Sequence, residues 1–170
     1  MLPFSRPVLD GLGTAIRLGL AAIFLVSGAI KAIDPAQTWV AVHAYELLPR
    51  GLVGPVAIAL PLVEVVLGIL LVVGVLTRWV AVASAVLLVV LMAGVVQAWA
   101  RGLSIDCGCF GGGGVVPEGS TRYPQELARD VGILLLASWL LVRPRTALSV
   151  DGWLRADPGA GWGRAGSPAG

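Results

Sequence analysis

The chain has a single lysine, Lys31, a single histidine, His43, only two cysteines, and charged residues at just 13% of its positions. Each scarcity closes a class of function. Its Lys and Arg residues number twelve, are scattered, and leave a net charge of +2, so no basic run is available to neutralise a phosphate backbone. Nucleic-acid binding is therefore excluded. Zinc-type spacing, which needs a second cysteine pair, is missing. No small-x-small cleavage site follows the first apolar run, and Arg17 lies inside that run. Residues 1–33 accordingly read as a retained anchor and not as a leader that is removed.

What the chain does have is hydrocarbon. Hydrophobic residues make up 57% and mean hydropathy is +0.89, against a soluble norm of about 45–50% apolar and about 25% charged. The expected fold is all-α, an integral membrane four-helix bundle, with spans at about Leu12–Ile33, Leu52–Leu76, Trp79–Ala100 and Leu127–Val142. Punctuation agrees: Asp34-Pro35 ends the first helix, Pro49-Arg50-Gly51 precedes the second, Thr77-Arg78 makes a short turn, and Pro124 suits a helix start. Residues 1–145 then form one transmembrane domain. Residues 146–170, rich in Gly, Pro, Ala and Arg, form a disordered cytoplasmic tail.

Counting basic residues near span ends gives the orientation. With a cytoplasmic N-terminus, seven lie inside (Arg6, Arg17, Arg78, Arg143, Arg145, Arg155, Arg164) and five outside (Lys31, Arg50, Arg101, Arg122, Arg129). The excess favours N-in and C-in. Trp39, Tyr45, Trp79, Trp99 and Tyr123 fall near span ends and read as an aromatic belt.

On this topology the outer loop between spans three and four carries Asp106-Cys107-Gly108-Cys109-Phe110, followed by Gly111–Gly114. A disulfide between cysteines one residue apart closes a small, strained ring. Such a bridge staples little, because crosslink stabilisation grows with loop length, and strain favours exchange of electrons. Cys107 and Cys109 are thus candidate redox residues; inert thiols and metal binding are the alternatives, the latter needing further ligands such as His43. The glycines make the loop pliable or simply form a hairpin, and Phe110 anchors it. Asp106 would raise the neighbouring thiol's pKa unless Arg101 or Arg129 offsets it.

Glu64 falls near the middle of span two, about 15 Å deep at 1.5 Å per residue. An ionisable residue there is a functional-site hypothesis, since a lone charge costs about 2.5–3.5 kcal/mol on insertion scales. Arg17, Ala21, Phe24, Gly28 and Lys31 recur at helical spacing, so either Arg17 or Lys31 can face Glu64. The pair is a structural ion pair, or else Glu64 is protonated, handles protons, or contacts a quinone head group.

Arg17-Leu18-Gly19 with Ser27-Gly28-x-x-Lys31, Pro61-x-x-Glu64-x-x-x-Gly68, Gly74-x-x-x-Arg78, Arg101-Gly102, Cys107-Gly108-Cys109-Phe110-Gly111 and Arg129-Asp130 occur in this order. Over about Ala15–Ser138 the chain resembles the methylamine-utilisation MauE family, within DoxX-like four-helix membrane proteins. The resemblance implies a multi-pass protein of the bacterial inner membrane that supports extracytoplasmic disulfide chemistry beside a thioredoxin-like partner. It also implies a role in maturation of methylamine dehydrogenase, with quinone as a candidate cofactor. A single cysteine pair differs from the two-pair relay of membrane thiol oxidases, so whether the chain is itself an enzyme stays open. The alternatives are a non-enzymatic adaptor of a redox complex, or a small transporter subunit working through Glu64.

Overall fold

The structure, a computed structural model, describes residues 6–108, 112–143 and 149–151. In chain order the elements are α1 (Arg6–Ile33), α2 (Pro35–Ala44), α3 (Arg50–Val73), α4 (Thr77–Ala100), β1 (Ile105–Asp106), β2 (Gly114–Val115) and α5 (Tyr123–Val142). The four long helices share one apolar core, to which Leu20 and Phe24 of α1, Leu67 and Leu71 of α3, Ala81 and Leu88 of α4, and Ala137 and Leu140 of α5 contribute.

Among the described residues three helices, α1, α3 and α4, are long and apolar enough to cross a membrane. Their outward faces agree, with Ile58, Leu62 and Val66 of α3 and Val86 and Val90 of α4 exposed. Such a stripe has no place in water but suits lipid. The fourth expected span corresponds to α5, whose 20 residues begin with Glu126, Arg129 and Asp130 in the first two turns. Its uninterrupted apolar stretch is therefore shorter than those of the other three.

Two features depart from the sequence reading: α2, which it did not anticipate, and the paired strands of the hairpin, which it offered only as an alternative. Asp34-Pro35 ends α1, as its composition suggests, but it also starts a new helix. Asp34 caps α2 by accepting a hydrogen bond from the Gln37 amide at 2.9 Å, and Pro35 occupies the first turn. The cysteine loop is a short antiparallel ladder, in which Ile105 faces Val115 and Asp106 faces Gly114.

Helix α1 packs most extensively on α3, and glycine permits it. A Cβ on Gly28 would stand 2.8 Å from Val65 Cγ2 and 3.0 Å from the Pro61 carbonyl oxygen; one on Gly68 would stand 2.7 Å from Leu25 Cγ. The backbones meet where side chains would hold them apart, the ordinary use of small residues in apolar bundles.

At the far end of this interface Arg17 is 1% exposed and donates from Nη1 to the carbonyls of Leu71 at 2.9 Å and Val72 at 3.1 Å. The cation thus sits on the C-terminus of α3, where carbonyls lack helical partners and the helix dipole is negative. Of the two pairs expected with Glu64, the one with Arg17 does not form, because the α3 carbonyls lie nearer and hold the guanidinium.

Most of the expected tail lies outside the described residues. Within it, Asp151 accepts from the backbone N–H of Leu76 at 2.9 Å and of Thr77 at 2.8 Å, capping α4.

Gly28→Leu is expected to force α1 from α3 and destabilise the bundle by about 1–3 kcal/mol. Thermal unfolding in detergent measures this, and an unchanged midpoint would refute the close contact.

Candidate functional site

Two polar centres lie toward the same end of the bundle, that of the α4–β1 connection. The first is an ion pair between α1 and α3. Lys31 Nζ stands 2.7 Å from Glu64 Oε1 and 2.8 Å from Oε2, and donates to Ser27 Oγ at 2.6 Å. Ser27 Oγ in turn donates to Glu64 Oε2 at 3.1 Å. Lys31 is 8% and Glu64 2% exposed. Ser27 and Lys31 lie four residues apart on one helix face, so a single stretch of α1 supplies both donors. The corner above is tied by Thr38, whose hydroxyl donates to the carbonyls of Lys31 and Asp34.

Burying two charges is costly, and bidentate geometry with an added hydroxyl is what compensates. Removing either partner strands the other.

The second centre is the cysteine hairpin. Cys107 is disulfide-bonded and 8% exposed; Cys109, the only other cysteine in the chain, lies outside the described residues together with Phe110 and Gly111. The hairpin is held from three sides. Tyr45, at the end of α2, donates to the Cys107 carbonyl at 3.2 Å. Tyr123, opening α5, accepts from the Ile105 amide at 3.3 Å and donates to the Leu103 carbonyl at 2.6 Å. Gln37 of α2 donates to the Gly113 carbonyl at 2.6 Å.

Glycine here serves close approach more than pliability. Gly108 and Gly113 have φ of 69° and 97°, and a Cβ on Gly113 would meet Ala41 Cβ at 2.6 Å. The loop is seated on α2.

The charges around Cys107 are arranged differently from the expectation. Arg101 pairs with Glu46 at 2.7 Å, an exposed contact. Arg129 pairs with its neighbour Asp130 at 3.0 Å, and Asp130 is 4% exposed. The Asp106 carboxyl lies beside that of Glu126, which also faces the Cys107 backbone N–H. Glu126 stands in the first turn of α5, ahead of the apolar stretch. Its carboxyl pKa is raised, first by burial and then by the Asp106 carboxyl, with the Cys107 N–H and Arg129 opposing. Burial likewise pushes the Tyr45 phenol up, so it stays a donor.

His43 stacks on Trp39 with ring centroids 4.9 Å apart. Among the described residues no three His, Cys, Asp or Glu side chains converge as metal ligands.

Between the two centres lies a cavity of about 710 Å³, lined by Lys31, Asp34, Gln37, Thr38, Tyr45 and Cys107 together with apolar residues such as Leu60 and Leu91. Sequence reasoning placed Tyr45 and Tyr123 in the aromatic belt and gave Glu126 no role. A helix-opening Tyr-Pro pair followed by Glu126 was the available signal.

These features define a helical bundle with membrane-capable helices and a disulfide-bearing hairpin seated at one end. The family model described as methylamine utilisation protein MauE matches residues 9–143. The chain belongs to the MauE family. No curated protein and no solved structure matches it.

Lys31→Ala or Glu64→Ala is expected to cost about 3–5 kcal/mol, while the double change Lys31→Met with Glu64→Leu recovers most of that loss. Unfolding midpoints of the three variants test this, and a double variant as unstable as the singles would refute a structural pair. A second outcome concerns acidity. A carboxyl with a raised folded-state pKa stabilises fully below its ordinary range, and that stability is lost as pH rises through the raised value. The hairpin should therefore loosen on going from acid to neutral pH in the native protein, and Glu126→Gln should flatten the change. Amide hydrogen exchange across residues 103–116, corrected for intrinsic pH dependence, reads it.

Proposed function

We propose that this protein carries out extracytoplasmic thiol–disulfide exchange through Cys107 and Cys109 with a thioredoxin-like partner. The observation that carries the reading is the bonded state of Cys107 in a hairpin that α2 and α5 hold at the bundle's end. Membership of the MauE family supports a role in methylamine utilisation, and maturation of methylamine dehydrogenase is the setting we infer.

The exchange is a displacement at sulfur. A thiolate of the partner attacks one sulfur of the bridge, the S–S bond breaks, and the other cysteine leaves as thiolate. Cys107 is covered by the bundle, so we assign attack to Cys109 and departure to Cys107. The leaving thiolate takes up a proton, and Glu126, whose raised pKa favours its protonated form, stands beside the Cys107 backbone. A second thiolate of the partner then releases the reduced pair.

We read α5 as the fourth span, giving a multi-pass protein of the bacterial plasma membrane with N-terminus and C-terminus inside. Two observations support this. At about 1.5 Å per residue the apolar stretch Leu127–Val142 covers about 24 Å, and the polar first turn of α5 carries the helix on into the headgroup region. Its start lies beside Leu103 and Ile105, after the end of α4, while Asp151 beyond its other end caps the start of α4. The closed Lys31–Ser27–Glu64 set favours a structural role for that pair over transport.

Cys107→Ser in intact cells is expected to accumulate a mixed disulfide through Cys109, whereas Cys109→Ser accumulates far less. Non-reducing electrophoresis after acid quenching and alkylation measures it; absence of any mixed disulfide in both variants sinks the exchange reading. After reduction, membrane-impermeant maleimide should label the pair from outside, and labelling only after lysis would reverse the orientation.

A further inference from the structure

The wall of the cavity contains several polar side chains, yet each is already engaged with protein. Lys31 donates to Glu64 and Ser27, and Thr38 to the carbonyls of Lys31 and Asp34. Asp34 accepts from the Gln37 amide, the Gln37 side chain donates to the Gly113 carbonyl, and Tyr45 donates to the Cys107 carbonyl. What this wall offers an occupant is hydrocarbon. Val56, Val63 and Val90, which also line it, are exposed on the outer faces of α3 and α4, so the space is continuous with the lateral surface that suits lipid. At about 710 Å³ it falls within the usual ~300–1,000 Å³ of small-molecule sites. An apolar space of this size is costly to leave empty, because its lining forfeits dispersion contacts and water finds few partners there. The hydrocarbon at its mouth fills it.

Charge decides which hydrocarbon chain enters. A free fatty acid would carry its carboxylate to the polar end, where Lys31, the one cation in the described wall, is held by both oxygens of Glu64 and where Asp34 adds a negative charge. A buried acid would find no partner there. A phospholipid avoids the conflict, because its acyl chains are uncharged esters and its headgroup stays at the membrane surface. We propose that this cavity holds one acyl chain of a phospholipid from the leaflet on the hairpin side, entering past Val56, Val63 and Val90. The chain also supports the hairpin. Ala41, Gly108 and Gly112 belong to the same wall, and Ala41 is the seat against which Gly108 and Gly113 rest. A ligand that binds the seated arrangement stabilises it by mass action, so lipid occupancy and order of the hairpin are coupled. This inference needs the helices in a bilayer and makes no use of thiol chemistry.

The probe is a phosphatidylcholine with a photoreactive diazirine midway along one acyl chain, added to the full-length protein in detergent and mapped by peptide mass spectrometry after irradiation. Adducts are expected at Leu60 and Leu91 in the cavity as well as at Ile58 and Leu62 on the outer face of α3. Leu60→Trp and Leu91→Trp, which fill the space, should each lower adducts at the other position about tenfold, as overpacking of this size implies, and leave the outer-face adducts unchanged. On the unaltered protein, excess unlabelled phosphatidylcholine should remove the cavity adducts at concentrations where oleic acid does not. Amide hydrogen exchange across residues 103–116 should slow with added phosphatidylcholine in the unaltered protein and in neither variant. Adducts confined to the outer faces, or cavity adducts indifferent to both substitutions, would mean lipid that merely surrounds the bundle, and overturn the proposal. Stronger displacement by oleic acid overturns it in favour of a free acid, and hairpin exchange that ignores the lipid overturns the coupling. The competition needs no substitution, so it decides the matter even where a variant fails to fold.

Discussion

A lysine and a glutamate facing one another inside hydrocarbon constrain everything around them. Neither Lys31 nor Glu64 is tolerable alone at that depth, so α1 and α3 must approach until ammonium and carboxylate touch. Gly28 makes that approach sterically possible, since any side chain there would strike Val65 and the Pro61 carbonyl. Ser27 closes the set. The same contact fixes the rotation of α1, which sends Ala21 and Phe24 into the shared core and brings Arg17 to the end of α3.

From this seam the two ends of the bundle are built by different means. At the α3–α4 turn, Arg17 satisfies carbonyls that α3 leaves open, and Asp151 satisfies amides that α4 leaves open. At the other end, α2 continues from α1 through the Asp34 cap and offers Ala41 as a flat seat for the hairpin glycines. Tyr45 and Tyr123 then bind backbone on either side of Cys107. The disulfide is thereby held by the ends of helices whose spacing the buried ion pair sets.

That mounting bears on the chemistry. A bridge on a free loop would be open to any thiol, whereas Cys107 is covered on one side by protein and borders an apolar cavity on another. Beside it stands Glu126, a half-buried carboxyl whose pKa is raised. A protein wall, a carboxyl and a largely apolar cavity meet at Cys107.

The sequence by itself determined that the chain is helical and apolar, that Cys107 and Cys109 form its sole cysteine pair, and that Glu64 needs a cation on α1. These were legible because period, composition and the cost of a charge in hydrocarbon are local properties. It left two candidate cations for Glu64, and only tertiary structure decided, since Arg17 found nearer acceptors on α3 and Lys31 did not. It overlooked α2, whose 10 residues carry little periodicity beyond an Asp-Pro start. The Asp106–Glu126 carboxyl pair was invisible for a different reason: the residues stand twenty positions apart. Only the return of the hairpin onto the start of α5 brings their carboxyls together, and long-range juxtaposition of that kind leaves no periodic trace in a chain.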